Sequence, residues 1–340
     1  MLLLLGGVCL NFASGFLHGD DVSPPKNRVA TSNDTGNSPS GEPGSPANAA
    51  ALSEQHQQAL GLLHDATNRM YGYSSLQASV HEVISLGARN TEAKGSYVAG
   101  EFPRLRLEYQ IRVGNTEGTL IEVCDSQVLR TLREISSTPT PIATAPASDG
   151  TTPPAEASPA TEAPKRKLKA TRRDVHKMLD SVRKQGATAD AVIQAQLGLG
   201  GIPALLASFE RTMNFDTYDV RTVGNQQTVT IEGYWKPDFK KGLSEQFTAA
   251  GRDPNQFLPE RVRVEIDLQT LVPTRIQYLR RTSGETPTLI PLLDLQFRDI
   301  RVNQPIDPKV FEISLPPEVQ EVDLTEVFIK NIEAPAQVAP

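Results

Sequence analysis

The 340-residue chain holds five histidines, two cysteines and forty acidic side chains, and few of them are spaced for chemistry. His81-Glu82 begins like a helical zinc-protease motif, but Ser85 stands where the second histidine would have to be. His56 and His64 are two helical turns apart, too far to chelate one ion; with His18 and His176 they read as solvated side chains. Gly198-Leu199-Gly200-Gly201 could aim backbone N–H groups at an anion, yet no Lys, Ser or Thr follows at phosphate-loop spacing, so it reads as a helix-entry turn. There is no Gly-x-Ser-x-Gly elbow. Asp267, Asp294 and Asp299 fit the wet faces of strands and Asp307 a turn, not an acid/base pair. No nucleophile, metal set or cofactor loop emerges, and a non-enzymatic protein without a cofactor is expected.

What remains is apolar chemistry, carried by elements that read clearly. Residues 104–113 alternate without a fault, Leu105, Leu107, Tyr109, Ile111 and Val113 on one face and charged or polar groups on the other, as in an antiparallel strand with one wet face. Gly114-Asn115 and Asp125-Ser126 turn the chain through residues 119–124 and 128–135, predicting a meander. Cys124 reads there as a small buried hydrophobe. A helix capped by Ser53 is predicted up to Tyr71-Gly72-Tyr73, a second over 172–184 with Val175, Met178, Leu179 and Val182 in one stripe, and a third opened by Gly200-Gly201 with Ile202, Leu205, Leu206, Phe209 and Met213. Phe239, Leu243 and Phe247 suggest a short fourth. Further strands are predicted at 215–223, 228–235, 261–268, 271–279 and 289–302, nine to eleven in all. Three or four helices cannot cover a flat sheet that wide, so the expected fold is mainly β with helices (α+β), a curled antiparallel sheet forming a half-open barrel.

Composition sets the boundaries and the compartment. Residues 1–15 combine an apolar run with Ala13-Ser14-Gly15 and read as a signal peptide, so a periplasmic or otherwise exported protein is expected, with anchoring through an uncleaved leader or a lipidated Cys9 as the alternatives. Residues 16–52 and 136–165 hold little that could form a core and read as a disordered tail and a disordered insert; 53–330 is expected to be one domain, followed by a tail at 331–340. Lys165-Arg166-Lys167 reads as the solvated edge of that insert. Net charge is −6 and the bases are interleaved with acids, which argues against a nucleic-acid partner.

Residues 263–276, ending Asp267-Leu268-Gln269-Thr270-Leu271-Val272-Pro273-Thr274-Arg275-Ile276, and then Phe297-Arg298-Asp299-Ile300-Arg301-Val302-Asn303-Gln304-Pro305-Ile306-Asp307, with Phe311 and the Leu315-Pro316-Pro317 exit, resemble the ending of LolA-like proteins. The likeness extends over most of 53–330 once the insert is set aside, through degenerate motifs. It implies a half-barrel lidded by helices around a cavity for acyl chains, as in proteins that carry lipoproteins, bind lipids or sense envelope stress. No single functional residue of that superfamily maps onto a position here. The implied partners are lipid acyl chains or a lipoprotein, with an envelope membrane protein a further possibility, and a monomer is expected. The apolar faces place Leu107, Tyr109, Ile231, Trp235, Val264, Ile276 and Leu295 as the expected cavity lining; the alternative is a non-catalytic envelope module whose own side chains fill that space.

Overall fold

The computed structural model describes residues 46–86, 89–114, 116–137, 165–184, 200–224, 226–282 and 286–333. The leader, Cys9, His18 and most of the two stretches predicted to be disordered lie outside these residues. Helix α1 (Pro46–Tyr71) is followed by β1 (Leu76–Leu86), β2 (Arg89–Ala99), β3 (Leu105–Val113), β4 (Thr116–Cys124), β5 (Val128–Ser137) and β6 (Lys165–Asp174). Helices α2 (Val175–Lys184) and α3 (Gly201–Thr212) lead to β7 (Met213–Val223) and β8 (Gln226–Trp235). After α4 (Pro237–Ala249) and the single turn α5 (Pro254–Phe257) come β9 (Arg261–Asp267), β10 (Pro273–Arg281) and β11 (Leu289–Val302), then β12 (Glu321–Asp323) and α6 (Thr325–Glu333).

All twelve strands form one mixed, mostly antiparallel sheet that does not close, in the order β12-β6-β5-β4-β3-β2-β1-β11-β10-β9-β8-β7. Two meanders, β1 to β6 and β7 to β11, are therefore joined at one seam, where β1 runs antiparallel to β11 from Leu76 opposite Val302 to Ile84 opposite Leu293. Polar bonds fasten its end: Asn303 Oδ1 accepts from the Ser74 N–H at 3.0 Å, and the Ser75 hydroxyl donates to the Gln304 carbonyl at 2.6 Å. One face of both meanders packs into a single apolar cluster with α1 and α3, so the sheet curls around these helices. A smaller cluster of Leu105, Cys124, Leu129, Val175 and Met178 sits under α2 and α6. Burial pushes the Cys124 thiol up to about 11, so the cysteine is an inert core group.

Three boundaries differ from the sequence reading. Helix α1 starts at Pro46, seven residues before Ser53, and α6 runs past residue 330. Residues 165–174 are not the edge of a linker followed by a helix; they are strand β6, paired along its length with β5. The sequence KRKLKATRRD lacks the alternation of a half-buried strand because its partners are backbone groups and charged neighbours. The parallel pairing of β12 with residues 170–172 was likewise unpredicted. The last segment reaches it across the convex face: Arg106 on β3 donates to the Val310 and Glu312 carbonyls, and Arg130 on β5 pairs with Glu321 at 3.3 Å.

Candidate functional site

Strand alternation aims one side chain in two into the curl, and the cross-strand register shows which ones meet. All seven expected lining residues lie on this concave side and belong to the same cluster: Leu107, Tyr109, Ile231, Trp235, Val264, Ile276 and Leu295 are each 5% exposed or less. The Trp235 indole packs on Phe239 at 5.4 Å and on Tyr278 at 6.4 Å, and its Nε1–H donates to the Pro259 carbonyl at 3.0 Å. Side chains from α1 and α3 occupy the space between the strands, and none of the seven lines a cleft open to solvent among those found at the described residues.

Helix α3 decides this arrangement. Nine of its twelve residues are buried, including Ala204, Ala207 and Ser208 on the side away from its apolar stripe. A helix apolar on one stripe still keeps a wet face at the edge of a core; one buried all round lies within it. Its entry needs Gly200 and Gly201, both with left-handed φ (86° and 53°), and the Tyr97 ring fills the place a Cβ on Gly201 would take. The Tyr97 hydroxyl then accepts from the Ile202 N–H at 3.4 Å.

The interior also contains polar groups that the sequence reading passed over. Glu82 is fully buried on the concave face of β1, in line with Ala78, Val80 and Ile84. The alternation of residues 76–84 already put it there, but His81-Glu82 drew notice only as a protease motif. Burial raises the Tyr278 phenol above its usual range, and the charge on Glu82 adds to the effect. His56 is no solvated histidine: its Nδ1 accepts the Phe215 N–H of edge strand β7 at 3.1 Å, and burial, with the charge of Lys236, holds its pKa below the usual value. Asp267 is buried at 6% exposure instead of facing water, and accepts from the Thr270 hydroxyl at 2.7 Å. Asp294 does lie on the convex face, where Arg275 grips it with two bonds of 2.8 and 2.7 Å; against the upward pull of burial, that guanidinium keeps the carboxyl below its usual range. Among the described residues no three His, Cys, Asp or Glu side chains gather as they would around a metal ion, and no helix is long and apolar enough to cross a membrane.

An apolar cleft of about 40 Å³ opens where α3 begins, between the end of α1 and the loop before β3. Met70, Tyr97, Pro103 and Pro203 form its walls, and Tyr71 and Phe102, 40% and 43% exposed, meet edge to face at its rim. The volume holds a few waters or methylenes, so a longer apolar ligand enters the curl only by displacing side chains.

No protein-family model matches the chain, and no curated protein matches it. Among solved structures, a DUF1329 family protein from Desulfovibrio piger aligns at 9% identity over 76% of this chain and 97% of its own, with a TM-score of 0.27. LprF from Mycobacterium bovis aligns at 9% identity over 74% of this chain and 95% of its own, with a TM-score of 0.28. A porin-like protein from Bacteroides uniformis gives 8%, 67%, 96% and 0.19 in the same terms.

Proposed function

We propose that this chain is an exported, monomeric, non-catalytic carrier that shelters the acyl chains of a lipid or lipoprotein in its half-barrel, and that α3 holds the place of the ligand when none is bound. The observation that carries this reading is α3 itself, a helix buried nearly all round, hung from two left-handed glycines beside an apolar cleft with an aromatic rim. Withdrawing Ile202, Leu205, Leu206 and Phe209 costs about 1.5–3 kcal/mol each, or roughly 6–12 kcal/mol together. An acyl chain of 14 to 16 carbons gains about 0.8 kcal/mol per buried methylene, roughly 11–13 kcal/mol. The exchange is near balance, and near balance suits a carrier, since a bilayer offers the chain a similar gain.

Binding of a fluorescent fatty acid, together with mass spectrometry of an organic extract of the purified protein, tests this. Micromolar uptake is expected, and Ile231→Asp should abolish it. Intact-mass measurement after secretion reports whether residues 1–15 are removed. The second reading, an envelope regulatory or scaffold module with a filled core, draws on the burial of all seven expected lining residues. It prevails if wild type takes up no fatty acid and the extract holds no lipid.

A further inference from the structure

Two turns of the chain meet at the mouth of the apolar cleft, and backbone bonds tie down both. Residues 100–104 close on themselves, the Gly100 N–H donating to the Arg104 carbonyl at 3.1 Å and the Arg104 N–H to the Glu101 carbonyl at 3.0 Å, which leaves Phe102 at the apex. The Phe311 ring braces the base, 3.1 Å from the place of a Cβ on Gly100. Across the cleft α1 stops at Tyr71, where the Gly72 N–H donates to the Asn68 and Arg69 carbonyls, both at 3.1 Å. Single exposed apolar side chains are ordinary, but Phe102, 43% exposed on a braced loop, meets a second exposed ring at 6.1 Å beside an apolar opening. Charge gathers at the same tip. Arg69 is the base in the last turn of α1, its guanidinium 5.7 Å from the centre of the Tyr73 ring, and Arg104 follows Phe102-Pro103; both are exposed, and Glu101 is the one acid of the loop. Tyr73 and Arg104 also line the cleft. Because the whole chain carries −6, an anionic surface repels most of the molecule and favours the approach of this end.

Building on the carrier reading, we propose that Phe102 and Tyr71 seat this end of the molecule in an anionic bilayer, with Arg104 and Arg69 among the lipid headgroups, so that the cleft opens onto the acyl chains. Aromatic rings settle at the headgroup level of a membrane, and long arginine side chains reach from an apolar surface to the phosphates around it. The cleft, about 40 Å³, admits only a few methylenes. The rest of an entering chain must therefore still lie in the bilayer while the start of α3, which forms one wall of the cleft, gives way. An opening on the membrane spares those methylenes a passage through water.

The test uses the secreted protein and vesicles made of equal parts of phosphatidylglycerol and phosphatidylcholine. The single native tryptophan, Trp235, is 5% exposed, so an indole introduced by Phe102→Trp reports its own surroundings over a buried background. Its emission should move to shorter wavelength when vesicles are added and be lost when their acyl chains are brominated. Tyr234→Trp, at the other end of the strands, should show neither change. Adding Arg69→Gln/Arg104→Gln to Phe102→Trp should raise the vesicle concentration needed for half the quenching by about tenfold or more, since each base near an anionic surface contributes to binding. No quenching at position 102 overturns the docking, as does quenching at 234 in its place; micromolar fatty-acid uptake by the same protein then leaves the carrier reading standing. Equal quenching in vesicles of phosphatidylcholine alone overturns the docking too. Quenching at 102 in a protein that takes up no fatty acid and yields no lipid in its organic extract keeps the docking and overturns the carrier reading.

Discussion

The two ends of the sheet, β7 at one and β6 with its short partner β12 at the other, are built on opposite plans. At β7 the concave side presents Met213, Phe215 and Tyr218, and α1 packs along the strand with His56 accepting one of its edge N–H groups. At β6 the same side presents Arg173, Thr171, Lys169 and Lys167, and the strand is held by its backbone ladder to β5 and a three-residue pairing with β12. Apolar burial fixes the first edge and leaves it little freedom for exchange. The second is held along its length by backbone hydrogen bonds that do not depend on side-chain type, and its concave side chains are polar or charged. Side-chain burial and backbone pairing thus play different roles at opposite rims of one curled sheet.

Substitutions at the two rims should separate these roles. Phe215→Ala removes a ring that is 3% exposed and should cost about 3–5 kcal/mol in urea unfolding; a loss under about 1 kcal/mol would mean that the β7 edge is not fixed by burial. A smaller effect is expected from pH. Because the folded state lowers the His56 pKa, the unfolded chain binds the proton more readily, so this contribution to stability is present above the ordinary value of 6.5 and is lost as pH falls below it. The urea midpoint of wild type should therefore drop more between pH 8 and pH 5 than that of His56→Gln, whereas parallel slopes would show that the bond to Phe215 contributes nothing. Replacing residues 138–164 by a short Gly/Ser linker should change stability by no more than about 1 kcal/mol, since closure cost grows only with the logarithm of loop length; collapse of expression would show the segment to be part of the β6 edge. Smallest and opposite in sign, Lys169→Glu should stabilise the fold by about 0.2–1 kcal/mol by turning its like-charge pairing with Arg133 into an attractive one. Destabilisation there would show that the rim is already neutralised within the protein.

The same contrast marks how much of the fold could be read from the chain. Strands β3, β9, β10 and β11, and the stripe of α3, were legible because burial on one side imposes a period on residue type. Strand β6 was not, since an edge strand with charges on both faces leaves no period, and the basic triplet read as linker. Strand β2 was obscured by small residues: Ala93 and Gly95 face the interior where neighbours crowd, and a Cβ on Gly95 would run into the Glu108 carbonyl. The seven residues placed in the interior were found from alternation alone. That α3 lies among them was hidden, because periodicity reveals an apolar stripe and says nothing of Ala204, Ala207 and Ser208, whose small size lets a second surface be buried. Glu82 was visible in the pattern and needed only the question of which face it shares.

The seam between β1 and β11 bears on how the molecule assembles in time. Within each meander every strand pairs with its neighbour in sequence, a contact that an unfolded chain finds sooner than one between distant segments. The bond between Ser74 and Asn303 joins positions 229 residues apart, so the halves of the interior meet only after nearly the whole chain has emerged from the ribosome. Until then each half exposes one long unpaired edge and an uncovered apolar face, the two features that invite aggregation. Seam substitutions such as Asn303→Ala should therefore lower the yield of folded protein, through losses during synthesis, more than they lower the stability of protein already folded.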